Sequence, residues 1–345
     1  MIESFFHAWE RRLASVTTDR VVRPFEWGLD WIGAPVSDTA PGVLADYVDQ
    51  VMADTDAFYT PEPTTDYTLG DADANGDRML TFPSALVTPH PQNNTVHGRL
   101  VPVKRPSPDR PRAAVLVLPQ WNSDEGGHVG LCRLLALNGL TAMRLSLPYH
   151  DRRMPPELHR ADYIVSANIA RTLQVCRQAV LDARRAIWWL RDQGYERIGI
   201  LGSSLGSCLS LLTTAHEPLI RAQALNHISP YFADVVWRGL STQHVREGLN
   251  GHIELELLRG LWRPISPQWF LERVRDRQTL LVYARYDLTF PVDLSEDLVR
   301  EFQQRQIPHE LAVLHCGHYS TGKTPFKFID GWILTRFLKK ALLTA

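Results

Sequence analysis

The sequence predicts an α/β fold built on a mostly parallel sheet with helices on both faces. Two observations carry that expectation. From Ala113 onward, short apolar runs alternate with longer stretches of helical spacing, the pattern of strand–helix–strand units. The helical stretches carry clear stops, Asn138-Gly139 after Leu131–Leu137 and Gly194 after Ala161–Arg191, that separate each from the next strand. With 345 residues, 44% of them hydrophobic, the chain can bury one large core of this kind or two modest ones.

The elements follow in order. Residues 1–77 are rich in Pro, Asp and Thr and read as an extension packed on a core, which residues 78–345 would form. Within the extension, Phe5, Phe6, Trp9 and Leu13 recur at helical spacing and predict an amphipathic helix docked on the protein's own surface. Met79–Val87 and Thr95–Val103 read as a β-hairpin at a sheet edge, and the proline-rich Lys104–Arg112 as a surface loop. Strands are then expected at Ala113–Leu118, Thr141–Leu147, Arg197–Leu201, Arg221–Ile228, Thr279–Ala284 and His309–Leu314. Helices are expected at Leu131–Leu137, Ala161–Arg191, Leu205–His216, Leu294–Arg305 and Phe326–Leu343.

Charge and composition remove several classes of function. Lys plus Arg number 37 and Asp plus Glu 38, so the chain lacks the basic footprint of a nucleic-acid binder. The cysteines at 132, 176, 208 and 316 form no C-x-x-C pair, which argues against a disulfide scaffold or a cysteine zinc site. No apolar run reaches the length of a membrane span, and Glu3, Glu10, Arg11 and Arg12 disrupt any secretion leader, so a cytoplasmic chain without a transmembrane segment is expected.

The sharpest chemical signal is Gly202-Ser203-Ser204-Leu205-Gly206, a G-x-S-x-G pattern between an expected strand and an expected helix. Glycines two residues either side of a serine permit a tight strand-to-helix reversal that projects the hydroxyl at a helix N-terminus. Ser204 has the spacing of the nucleophile; Ser203 does not. A serine needs a base, and the base an orienting acid. Asp287 lies just past the strand Thr279–Ala284 and His318 just past His309–Leu314, so Ser204, Asp287 and His318 all follow strands at one edge of the sheet. Asp234 is the alternative acid and His315 the alternative base. His315 is expected to point into the sheet, Asp293 to cap the helix after Asp287, and Cys316 to be a buried, inert thiol. Backbone N–H groups of Leu205 and of Trp121, with Gln120 as the alternative to Trp121, are the candidates for an oxyanion hole.

On the elbow GSSLG, the acid loop YDLTFP, the histidine loop CGHYS and the strand-to-loop run VLVLPQW, the chain resembles the α/β-hydrolase superfamily from about residue 78 to its end. Residues 148–155, PYHDRRMP, look like the P-Y-x-x-x-R-x-P stretch of a little-characterised branch. The resemblance implies an α/β-hydrolase fold with a helical lid inserted after the sixth strand, here about residues 229–277, where Leu249, Ile253, Leu257 and Leu261 keep helical spacing. It also implies ester or thioester hydrolysis through an acyl-enzyme, with no cofactor, on a small-molecule substrate carrying an apolar group. Peptidase, amidase or acyltransferase activity, or a non-catalytic binding role, are the alternatives.

Weaker signals remain. Residues 71–77, DADANGD, resemble half a calcium loop but read equally well as a turn. Asp124, Glu125 and His128 read as a helix cap with His128 near the pocket, and His150-Asp151 as a hydrogen-bonded loop pair.

Overall fold

The structure, a computed structural model, describes residues 2–104 and 110–344; residues 105–109 of the expected surface loop lie outside the described residues. The first elements are the helices α1 (Ile2–Ser15), α2 (Ala40–Ala53) and α3 (Thr55–Tyr59), followed by strands β1 (Thr68–Ala72), β2 (Arg78–Pro83), β3 (Thr95–Val101) and β4 (Ala113–Leu118). Then come α4 (Val129–Leu137), β5 (Thr141–Leu145), α5 (Ile169–Asp192), β6 (Arg197–Ser203), α6 (Leu205–His216) and β7 (Ile220–Asn226). Helices α7 (Phe232–Arg238), α8 (Gln243–Leu249) and α9 (Leu255–Leu261) separate β7 from β8 (Gln278–Ala284). The chain closes with α10 (Val292–Gln304), β9 (Glu310–Leu314), α11 (His318–Thr321) and α12 (Phe326–Leu343).

The strands form one sheet in the order β1-β2-β3-β5-β4-β6-β7-β8-β9. β1, β2 and β3 join antiparallel, β3 meets β5 antiparallel, and every pairing from β5 to β9 is parallel. β4 shows why the central runs are apolar without alternation. Ala114, Leu116 and Leu118 enter the core under α5 and α6, while Ala113, Val115 and Val117 enter the core under α4 and α12. Parallel strands align their C-terminal ends, so the loops after β4, β6, β7, β8 and β9 open on one edge.

The structure departs from the sequence reading at four places. β1 falls inside the segment read as an extension and adds an edge strand, so the strand before the helical insertion, read as the sixth, is the seventh in chain order. α5 begins at Ile169 rather than Ala161, because the Asn168 side chain caps it by accepting from Arg171 N–H at 2.9 Å. The single helix expected over 249–261 is two, α8 and α9, broken at Gly251, whose φ of 78° is left-handed. Within that stretch Leu249, Ile253 and Leu261 are buried, whereas Leu257 is 40% exposed. Finally, α10 starts on Pro291 without a side-chain cap, and the carboxylate of Asp293 instead pairs with Arg238 through two 2.8 Å hydrogen bonds.

Candidate active site

Ser204 sits between β6 and α6 with φ 56° and ψ −121°, a strained backbone for a residue with a side chain. Its surroundings enforce it. Ser204 N–H donates to Asn226 O at 2.8 Å. A Cβ on Gly202 would collide with the backbone of Gly206, and one on Gly206 with the carbonyls of Leu118 and Pro119. The two glycines let the elbow close and bring the end of β4 against it.

The residues expected to act with Ser204 converge on it. His318 Nε2 lies 3.1 Å from Ser204 Oγ, and His318 Nδ1 donates to Asp287 Oδ2 at 2.8 Å. Asp287 Oδ1 accepts the N–H groups of Thr289 and Phe290 at 2.8 and 2.7 Å. A carboxylate only accepts, so this contact places the imidazole proton on Nδ1 and leaves Nε2 as an acceptor facing the hydroxyl. Burial pushes Asp287 up, but His318 and His227 outweigh it and hold the carboxyl well below the usual range. Burial pushes His318 down, and Asp287 more than restores it, leaving a base stronger than a free imidazole.

The alternatives lie elsewhere. Asp234 is committed to Arg259 by hydrogen bonds of 2.6 and 3.0 Å within the insertion. His315 is exposed at the end of β9 rather than pointing into the sheet. Cys316 is buried, and burial raises its thiol to about 12. As the first residue of α6, Leu205 has no helical carbonyl for its N–H, and the backbone N–H of Trp121 donates to no protein group among the described residues, while its indole N–H donates to Ala161 O at 2.9 Å. Both therefore keep a backbone donor available.

Five neighbours of this constellation escaped the sequence reading in whole or part. His227 Nδ1 donates to the same Asp287 Oδ2 at 3.1 Å, and its ring centroid is 4.6 Å from that of His318. Glu10 of α1 is buried, and its carboxylate accepts Tyr319 N–H and Ser320 N–H at 2.8 and 2.9 Å, immediately after His318. Phe6 of the same helix stacks on Tyr286, next to Asp287, with centroids 4.6 Å apart. His128 Nε2 lies 3.0 Å from Ser203 Oγ, and burial lowers its pKa to about 4. His150, which burial lowers to about 3, accepts Asn122 N–H at 2.9 Å and so anchors the loop that carries Trp121. His150 and Asp151 are not a pair; Asp151 binds Arg144 at 2.6 Å. Only local signals, a histidine past a strand end for His227 and a polar residue on an apolar helix face for Glu10, could have flagged them.

Among the described residues, one group offers three His or acid ligand atoms within 4.8 Å of one another: His227, Asp287 and His318. Of residues 71–77, the first two end β1 and residues 73–77 make the β1–β2 turn, where Asp73 Oδ1 accepts Asn75 N–H at 2.8 Å and Asp77 N–H at 3.0 Å. Asp124 Oδ1 accepts the N–H groups of Gly126 and Gly127 at 3.0 and 2.8 Å, a turn ahead of α4.

No family model matches the chain, and no curated protein sequence does either. Solved structures do. The acetyl xylan esterase of a Thermoanaerobacterium species superposes with a TM-score of 0.61 at 14% identity, over 85% of this chain and 93% of that one. A Paenibacillus acetyl xylan esterase gives 0.58 at 15%, over 94% and 98%. The acylaminoacyl peptidase of Pyrococcus horikoshii gives 0.59 at 15%; 83% of this chain is covered, but it spans only 42% of the peptidase. The chain has the α/β-hydrolase fold.

In this hydrolase fold the constellation opens on a groove of about 1980 Å³. Ser204, His227 and His318 lie along it with Trp121 and Asp330, and Thr17–Arg20 of the N-terminal segment form part of its wall. Asp330, near the start of α12, accepts Asn226 Nδ2–H at 2.9 Å, and burial raises it to about 6. A carboxyl whose folded pKa is raised binds its proton more tightly folded than unfolded, so it takes stability away as pH climbs from its unfolded value to about 6. Asp330→Asn is therefore expected to raise the thermal midpoint at pH 8 and to leave it nearly unchanged at pH 4. Equal midpoint changes at both pH values would contradict a buried, proton-holding Asp330.

Proposed function

We propose that the protein is a serine hydrolase that cleaves a carboxylic ester or thioester bearing an apolar group. The observation that carries this reading is the unbroken hydrogen-bond chain from Ser204 through His318 to Asp287 on a strained elbow. Ser204 Oγ attacks the carbonyl carbon while His318 Nε2 takes its proton. The oxyanion is met by the N–H groups of Leu205 and Trp121. His318 returns the proton to the leaving alcohol or thiol as the tetrahedral intermediate collapses to an acyl-serine. Water then attacks and loses its proton to His318, which passes it to Ser204 Oγ as the acyl–Oγ bond breaks and the acid leaves. Asp287 keeps the proton on Nδ1 throughout and stabilises the imidazolium. Ester rather than amide cleavage is favoured by the two acetyl xylan esterases, which are matched over nearly their full length, whereas the peptidase is matched over 42%.

The test is labelling with a fluorophosphonate followed by intact-mass detection. Wild type should gain one probe and Ser204→Ala none, and p-nitrophenyl esters of graded chain length should then turn over. A folded wild type that neither takes up the probe nor hydrolyses any ester would overturn the reading.

A further inference from the structure

The chain has five lysines, and four of them, Lys323, Lys327, Lys339 and Lys340, fall between residues 323 and 340, on or just before α12. Elsewhere the chain uses arginine, largely in ion pairs such as Arg153–Asp182, Arg184–Glu217 and Arg259–Asp234. α12 is built differently. Its one acid, Asp330, is buried. Its outer face presents Phe328 at 64%, Ile329 at 45% and Trp332 at 57% exposure, next to cations. Lys327 lies over the Phe328 ring and Arg336 over the Trp332 ring, each 5.0 Å from the centroid. Lys340 is paired with Glu310 at 2.9 Å. Among the described residues, Lys323, Lys327, Arg336 and Lys339 have no acid at ion-pair distance.

This face also continues the groove. The cavity that starts at Ser204 extends past Leu134 and Leu137 of α4 to Phe328, Trp332, Arg336 and Lys339 of α12. Leu137, at the end of α4, is 81% exposed. Large apolar side chains ringed by unpaired cations match an anionic bilayer surface. The aromatic and aliphatic groups enter the headgroup boundary while long basic side chains reach the lipid phosphates. A second copy of this chain fits worse, since a two-fold contact would set these cations against each other. A nucleic acid would meet the cations but leave Ile329 and Leu137 unburied.

We propose that the exposed face of α12 docks the protein on an anionic lipid bilayer, so that an acyl chain passes from the bilayer along the groove to Ser204. The delivery half rests on the hydrolase reading above; the docking half does not. The experiment uses Ser204→Ala protein and sucrose-loaded phosphatidylcholine vesicles, with or without about one third phosphatidylglycerol. The protein should sediment with the anionic vesicles and not with the neutral ones. Added salt should weaken that binding, and so should the combined variant Lys323→Gln, Lys327→Gln, Arg336→Gln, Lys339→Gln, by about 10³-fold. Phe328→Ala with Trp332→Ala should weaken it as well, with unchanged circular dichroism. Equal sedimentation with neutral vesicles, no sedimentation, or binding indifferent to these folded variants would overturn the docking. So would a dimer that Trp332→Glu splits, because a second copy would then cover the face, or retention on single-stranded DNA that exceeds vesicle binding. Vesicle binding is read on a protein without its nucleophile, so it is scored apart from hydrolysis. Wild type that hydrolyses soluble esters yet ignores vesicles counts against the docking alone, and wild type that binds vesicles yet hydrolyses no ester counts against the function alone.

Discussion

Replacing Asp287 by asparagine should lower kcat on a p-nitrophenyl ester by about 10⁴-fold while leaving the fold intact. The amide oxygen can keep the N–H groups of Thr289 and Phe290 that now reach Oδ1 at 2.8 and 2.7 Å. Its NH₂ then faces His318 Nδ1, which must become an acceptor. The imidazole proton moves to Nε2, and Nε2 can no longer receive the proton of Ser204 Oγ, 3.1 Å away. The pH profile tests the same geometry separately. Activity needs neutral His318, whose pKa is raised: burial pushes it down, but the Asp287 carboxylate lifts it further. The acid limb of kcat/KM for wild type should therefore lie above the ordinary histidine value of about 6.5. Without the carboxylate burial prevails, so the residual activity of Asp287→Asn should have its acid limb at lower pH. A loss of less than tenfold, or a limb that does not move, would remove Asp287 from the role assigned to it.

The second large effect is expected from Glu10, far from the elbow in sequence. Glu10→Ala strips the acceptor from two N–H groups in α11 and leaves them buried under a cavity, for a stability loss of about 3 kcal/mol. It should also cut kcat more than it raises KM, because the two N–H groups that Glu10 holds directly follow His318 in the chain. Glu10→Gln keeps one oxygen acceptor and should recover part of both losses. Thermal unfolding and steady-state kinetics on the two variants decide the matter. If Glu10→Ala unfolds at the wild-type temperature with wild-type kcat, α1 is only packed beside the site. Phe6, stacked on Tyr286 beside Asp287, ties the same helix to the acid loop, so the segment read as an extension braces both partners of Ser204.

The residues of the elbow could be read because their constraint is local. Gly202, Ser204 and Gly206 must stand at that spacing, after an apolar strand and before a helix, for the chain to reverse without collision. The same holds for the central parallel strands, whose double-sided burial demands unbroken apolar runs, and for Asp287, which follows such a run, while His318 follows the edge strand β9. His315 shows the limit of this kind of reading. Its spacing predicts a side chain pointing into the sheet, yet it is exposed, and what excludes it is its place on the strand end rather than its burial. Likewise, helical spacing from Leu249 to Leu261 says nothing of the left-handed turn at Gly251 that splits it.

The fold class, the strands from Ala113 onward and the meeting of Ser204, Asp287 and His318 were legible in the sequence, because periodicity and turn chemistry act over a few neighbouring positions. Only packing shows that β1 completes the sheet, that His227 shares Asp287 with His318 and that Glu10 accepts from the residues after His318. Those contacts join residues 60 and 309 positions apart, and a hydrogen bond across such a span leaves no period or spacing in the chain, since its partners are brought together only by the packing of everything between them.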